Sequence, residues 1–229
     1  MVIGHGMIAE RFLNYREKNE YIIFASGVSD STHLTAAAIE RETKLLHSTI
    51  RAHKEKKMVY FSTCSIYDAG MQNGAYVNHK KQMEALIEAE QDCFIIFRLS
   101  NPIGKTANNH TFFNFFIQHI INNKPFEIWQ NASRNIIDID DMHIICNEIL
   151  QQGSFLNTTV NIANPENYPV PFIIKNIEDH FGIQSRCKWL DKGDGPKIDT
   201  SQIEILFRKF NINFDENYLP NLLKKYFPV

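Results

Sequence analysis

Tyr76 and Lys80 stand four residues apart in the stretch Ala75-Tyr76-Val77-Asn78-His79-Lys80. On a helix that spacing puts both side chains on one face, an ammonium beside a phenol whose ordinary pKa is about 10. A neighbouring positive charge favours the phenolate, so such a pair can exchange a proton near neutral pH. Two solvated side chains would show the same spacing, so the pair needs company elsewhere in the chain. Gly4-His5-Gly6-Met7-Ile8-Ala9 is a glycine turn between an apolar start and an amphipathic stretch. In a strand–turn–helix setting the first glycine permits a tight turn and the second lets backbone approach a pyrophosphate. The small Ala9 then lets helix lie close to strand, and free N–H groups at the helix start hold negative charge. Thr63 closes the apolar run Tyr60-Phe61-Ser62-Thr63. Its hydroxyl could orient a reacting oxygen or be an ordinary strand-end group.

These residues need a scaffold, and the pattern around them describes one. Short runs rich in Ile, Val, Phe and Tyr at 1–3, 21–25, 58–62 and 93–98 read as strands. Amphipathic stretches at 7–16, 35–54 and 76–90 read as helices between them. The alternation predicts a parallel sheet covered by helices, with strands buried on both faces. Further on, 112–121, 142–150, 170–182, 201–210 and 218–226 read as helices and 126–129 as a short strand. Loops fall at 101–109 and 164–169, rich in Asn, Gly and Pro.

Bulk composition narrows the class. The chain has 229 residues, 44% hydrophobic and 22% charged, with a formal net charge of -2, as in an ordinary globular protein. Lys54-Glu55-Lys56-Lys57 reads as a solvated helix end, so nucleic-acid binding has no footprint here. No apolar stretch reaches the roughly eighteen residues of a transmembrane helix, and the apolar start is too short for a signal peptide. Cys64, Cys93, Cys146 and Cys187 lie far apart without metal-ligand spacing. Reduced thiols in a cytoplasmic protein, with no metal, are the expectation.

Taken together, these motifs resemble the extended short-chain dehydrogenase/reductase family, in its nucleotide-sugar epimerase/dehydratase branch. Gly4, Gly6 and Ala9 match its cofactor turn, and Phe24-Ala25-Ser26-Gly27 is similar to its strand end and small-residue loop. Tyr60-Phe61-Ser62-Thr63-Cys64-Ser65-Ile66-Tyr67 is similar to the strand that carries the catalytic Ser/Thr, at Thr63. Tyr76 and Lys80 match the YxxxK pair, which Glu84 extends. Arg98-Leu99-Ser100-Asn101-Pro102-Ile103-Gly104 resembles the RxxNxxG stretch, and Arg134-Asn135-Ile136-Ile137-Asp138-Ile139-Asp140-Asp141 the RDFxxVDD stretch, with Asn135 for the usual Asp. No acidic residue follows the glycine turn at the usual distance, and the chain reads as skipping one strand–helix unit.

The resemblance implies a Rossmann-like doubly wound α/β core, lacking one unit, over 1–104 and 135–163. A small substrate cap would comprise 105–134 and 164–229. It implies NAD or NADP as cofactor, held at Gly4, Gly6, Met7, Ile8 and Ala9, then at Phe24, Ala25, Ser26 and Gly27, and at Leu99, Tyr76 and Lys80. Tyr76 would act as proton donor, Lys80 would lower its pKa and bind the nicotinamide ribose, and Thr63 would orient the reacting oxygen. Asn101 and Arg134 would meet a nucleotide-sugar substrate, although Arg134 could equally pair with Asp138, Asp140 or Asp141. The dehydratases of the family place an Asp-Glu pair after the catalytic Thr. Cys64 and Ser65 stand there, which favours a keto-reductase or epimerase in surface-polysaccharide biosynthesis. A non-catalytic dinucleotide sensor or scaffold is the alternative. The helices near 35–54 and 76–90 would pair across a homodimer, through residues such as Leu45, Leu46, Ile50, Met83, Ala85 and Leu86. Cys64 reads as a packed thiol, His5 and His79 as surface or loop filler, and Trp129 and Trp189 as core or cap packing.

Overall fold

The computed structural model describes residues 1–28, 34–70, 74–106 and 111–229. The chain begins with β1 (Val2–Ile3), α1 (Met7–Arg11) and β2 (Tyr21–Phe24), then α2 (Ala36–Ala52), β3 (Lys57–Thr63), α3 (Ala75–Glu90) and β4 (Phe94–Leu99). Next come β5 (Asn101–Ile103), α4 (Phe112–Ile121), β6 (Phe126–Trp129), β7 (Ser133–Arg134), β8 (Ile136–Asp138) and α5 (Ile139–Gln152). β9 (Thr158–Ile162), β10 (Tyr168–Pro169), α6 (Val170–Phe181), β11 (Cys187–Leu190), α7 (Glu204–Lys209) and α8 (Tyr218–Tyr226) complete it.

Five strands form one parallel sheet in the order β1-β2-β3-β4-β9. Successive side chains on a strand point to opposite faces, and the apolar runs supply both. Ile22, Phe24, Met58, Tyr60, Phe94 and Ile96 pack under Leu46 and Ile50 of α2 and Met83 and Ile87 of α3. Tyr21, Ile23, Val59, Phe61, Ile95 and Phe97 face the other way, toward Phe12, Tyr15 and the apolar side of α5. So α1 and α5 cover one face, and α2 and α3 the other.

That placement corrects the expected topology. In the usual doubly wound order 3-2-1-4-5-6, strands flank the first strand on both sides. Here, among the described residues, no strand lies outside β1. The gap therefore exceeds the single unit expected, because the whole outer wing is absent. The connections through α1, α2 and α3 all step the same way across the sheet, yet α1 runs over the opposite face, so its hand is opposite. With α2 and α3 in the right-handed form of about 98% of such units, the α1 connection is the reversed one. It sits where it would if the chain still turned outward from β1. The consequence is local: the carboxyl ends of β1 and β2 form a switch point, where one helix departs to each face, the place at which open α/β sheets form a ligand crevice.

Other departures have simple causes. The helix expected over 7–16 ends at Arg11 and tightens into a 3-10 turn over Leu13–Tyr15. The one expected over 201–210 splits into a 3-10 turn and α7. β9 was not expected: Thr158, Thr159 and Asn161 make it polar, and it is an edge strand with alternating burial. β5 pairs with β8, β6 with β11 and β7 with β10, as two-stranded pieces too short to show a sequence period.

α8 is fixed to the start of α5 by an acidic cluster. Asp138 caps α5 through the Asp140 N–H (2.8 Å). It also accepts from Tyr226 OH (2.6 Å) and Lys225 Nζ (2.7 Å), while Tyr218 OH donates to Asp141 (2.6 Å). Asp140 takes Arg11 (2.9 Å) and Lys225 (2.7 Å). No helix among the described residues is long and apolar enough to cross a membrane.

Candidate active site

Thr63 is the last residue of β3 and opens the 3-10 turn Cys64–Tyr67. Its hydroxyl donates to Ser65 Oγ (3.0 Å) and accepts from the Ser65 N–H (3.1 Å). Tyr76 lies in the first turn of α3, half-buried, with its side chain hydrogen-bonded to that of Thr63. The two hydroxyls predicted to share a reacting oxygen thus meet. Burial pushes the Tyr76 phenol up to about 12, against the side-chain hydrogen bond with Thr63, and the charge of Glu42 adds to the rise.

Lys80 behaves differently from the expectation. Its side chain is buried, and its ammonium donates to Tyr60 OH (3.0 Å) and Glu42 Oε1 (3.2 Å). Glu42, on α2 and fully buried, also accepts from Tyr60 OH (2.7 Å), from the Val28 N–H (2.7 Å) and from His79 Nε2 (2.9 Å). An ionised carboxylate only accepts, so His79 donates from Nε2, leaving its buried Nδ1 without a hydrogen-bond partner. His79 is therefore no surface filler. Burial alone would raise the Glu42 carboxyl; the bonds from His79, Lys80, Val28 and Tyr60 outweigh it and hold it at about 2. Lys80 is lowered by burial, which Glu42 opposes. Burial therefore leaves the phenol raised rather than lowered, and the ammonium that was to acidify it is paired with Glu42.

A third network fixes α3 to the sheet. Glu84 receives Arg98 in bidentate fashion (3.0 and 2.6 Å), and Arg98 Nη1 donates to Tyr67 OH (2.9 Å), which in turn donates to Asn161 (3.0 Å). Bidentate pairs of this kind specify geometry as well as energy. Cys64 donates its thiol to the Arg98 carbonyl (3.1 Å) and burial raises it to about 12, as a packed thiol.

The glycine turn lies across the crevice. Gly4 has φ +128°, and a Cβ there would fall 2.3 Å from the Ala25 carbonyl oxygen, so β1 and β2 close on each other only with glycine. A Cβ on Gly6 would meet nothing within 4 Å, so backbone is open to an approaching group. A Cβ on Gly27 would lie 2.5 Å from Lys80 Nζ, so the loop after β2 rests on the lysine. Ser26 is held by Arg41, through its carbonyl (3.2 Å) and hydroxyl (3.4 Å). These residues fit the pyrophosphate and nicotinamide side of a dinucleotide. Of the other expected cofactor residues, Ala9, Phe24 and Leu99 are buried, and Met7 and Ile8 pack against the core on the α5 side.

Asn101 Nδ2 donates to the Asn135 carbonyl (2.7 Å). Asn135 is itself a buried hub, donating to Asn164 O (2.7 Å) and Asn167 Oδ1 (2.9 Å) and accepting from the Asn164 N–H (3.0 Å). A carboxylate would face those oxygens unpaired, which accounts for Asn in place of Asp. Arg134, half-buried on β7, donates to the Ser133 carbonyl (2.9 Å). Asp138, Asp140 and Asp141, its other candidate partners, are taken by α8 and Arg11. Trp129 and Trp189 are 48% and 46% exposed rather than packed. Among the described residues no group of three or more His, Cys, Asp or Glu could hold a metal, and the four cysteines are free. Glu42 escaped the sequence reading, although it shares with Leu46, Thr49 and Ile50 the buried face of α2 at helical spacing.

Similar folds occur in solved structures. The UDP-glucuronic acid 4-epimerase from Bacillus cereus in complex with NAD superposes with TM-score 0.68 at 15% identity, over 89% of this chain and 70% of that one. The dTDP-glucose 4,6-dehydratase from Bacillus anthracis in complex with NAD gives 0.71 at 13%, over 97% and 78%. RMD from Pseudomonas aeruginosa, complexed with NADPH, gives 0.67 at 14%, over 90% and 79%. No curated protein matches the chain. The model of the NAD dependent epimerase/dehydratase family matches residues 20–163, from the approach to β2 through the end of β9. More than half of the sequence is thereby accounted for, and the chain belongs to that family.

Proposed function

We propose that the chain is an NAD- or NADP-dependent reductase or epimerase acting at a keto or hydroxyl carbon of a nucleotide-linked sugar. The hydrogen-bonded Thr63–Tyr76 pair carries this reading, set beside the loop at 25–28 on which Lys80 rests. A bound nicotinamide supplies or accepts hydride. Tyr76 gives its proton to the sugar oxygen, and Thr63 holds that oxygen as charge develops. Lys80, next to Gly27, would steady the nicotinamide ribose. Arg134, with no carboxylate partner among the described residues, would take a substrate phosphate, and Asn101 the nucleotide sugar. The high thiol pKa of Cys64 disfavours dehydratase chemistry, since neither Cys64 nor Ser65 is a useful acid or base.

The same reading makes 105–134 and 164–229 a substrate cap on a core of 1–104 and 135–163. It pairs α2 and α3 across a homodimer, supported by half-buried Leu45 and Leu86 beside exposed Ala85. Four free thiols fit the cytoplasm, and a nucleotide sugar fits supply of a surface polysaccharide. The second reading, a dinucleotide sensor or scaffold, is favoured by the missing wing outside β1. Titration calorimetry with NADH and NADPH, followed by NADH oxidation with UDP-4-keto-sugars, separates the two. Binding with turnover supports the enzyme; binding without turnover, or binding of neither cofactor, supports the sensor or scaffold.

A further inference from the structure

Glu42 lies outside every motif read from the sequence, yet it touches the lysine of one and the loop of another. One carboxylate joins α2 to β3 through Tyr60, to α3 through His79 and Lys80, and to the loop after β2 through the Val28 N–H. The titratable and charged groups that act on the Lys80 ammonium are Glu42 from α2, Tyr60 from β3 and Glu84 from α3, with His79 sharing the Glu42 carboxylate. Glu84 is already paired with Arg98 of β4. The positive charge of Lys80 is thus answered before it can act on Tyr76.

We propose that Glu42 is a positioning residue of the active site: it neutralises Lys80, fixes it against Gly27, and so leaves Tyr76 as a proton donor suited to carbonyl reduction. The inference rests on the reductase or epimerase reading and gives that reading a direction. In reduction, hydride from a dihydronicotinamide goes to the carbonyl carbon and the Tyr76 proton to its oxygen. The carbonyl π bond breaks as C–H and O–H bonds form, the nicotinamide is oxidised, and the phenolate recovers its proton from solvent. In the reverse direction Tyr76 must lose its proton first. A cation already bound to a carboxylate gives that loss little help.

Tyrosinate absorbance, titrated against pH, tests this without any substrate, so its outcome is independent of whether sugar turnover is found. The Tyr76 signal is the difference between a protein and its Tyr76→Phe counterpart. Removing the negative charge in Glu42→Gln should lower the ionisation pH of Tyr76 by roughly one to three units. Should Glu42→Gln fail to fold with its lysine unpaired, Glu42→Asp makes the comparison with Lys80 kept: the shorter carboxylate draws back from the ammonium, and Tyr76 should again ionise at lower pH. An unmoved titration in the Gln variant, or in the Asp variant where the Gln variant does not fold, would overturn the proposal. A purely structural Glu42 would change stability without moving the phenol.

Discussion

The two banks of the crevice are built to different standards. On the α3 bank, β3, α3 and the loop after β2 converge on Glu42 of α2, and Arg98 binds Glu84 with two hydrogen bonds. On the β1 bank, a two-residue strand forms the sheet edge and leads into a five-residue helix. The groups that would move a proton are over-determined, whereas those that would anchor the far half of a dinucleotide are sparse. Chemistry and cofactor affinity can therefore be altered separately, and substitutions on each bank should sort accordingly.

The largest effect is expected on the α3 bank. Glu42→Ala leaves the Lys80 ammonium buried and unpaired, which should cost about 3–5 kcal/mol in denaturant unfolding. A loss below about 1 kcal/mol would mean that water or a mobile lysine relieves the charge. Acid should expose the same pair. The Glu42 carboxyl falls from 4.5 to about 2 on folding, so it contributes stability that is present above about 4.5 and lost as pH falls toward 2. At about 1.4 kcal/mol per unit that is on the order of 3 kcal/mol. Glu42→Gln/Lys80→Met should flatten this part of the stability curve, and an unchanged acid limb would place the loss elsewhere.

The β1 bank should respond less, and in a different currency. Gly4→Ala adds a Cβ against the Ala25 backbone at a φ reserved for glycine, which should cost roughly 1–3 kcal/mol. Gly6→Ala has open space around it and should change stability by no more than about 0.5 kcal/mol. It should nevertheless weaken NADH binding in calorimetry, because the added methyl occupies the room left for the cofactor. Equal NADH affinity in both proteins would remove the glycine turn from the cofactor site.

The contrast also explains what could be read from the chain. The apolar runs of β2, β3 and β4 and the long periods of α2 and α3 follow from burial, which sequence records directly. Tyr76 and Thr63 stand out as candidates because strand end and helix start are local features. The partner of Lys80 was not, since it comes from α2 across the sheet, and a glutamate between Glu40, Arg41 and Lys44 looks like part of a solvated face. Its spacing to Leu46, Thr49 and Ile50 was the available signal. β9 escaped because an edge strand tolerates polar residues, and the size of the missing wing escaped because strand order is a long-range property.

The account rests on Tyr76 giving its proton to a carbonyl beside Thr63. The most direct measurement is single-turnover transfer of deuterium from [4-²H]NADH to a UDP-4-keto-sugar, by wild type and by Tyr76→Phe. The wild type should label the sugar carbon, and the variant should bind NADH equally while transferring roughly 10²–10⁴-fold more slowly. Transfer at the wild-type rate by Tyr76→Phe would contradict the assignment of Tyr76, whatever the fold.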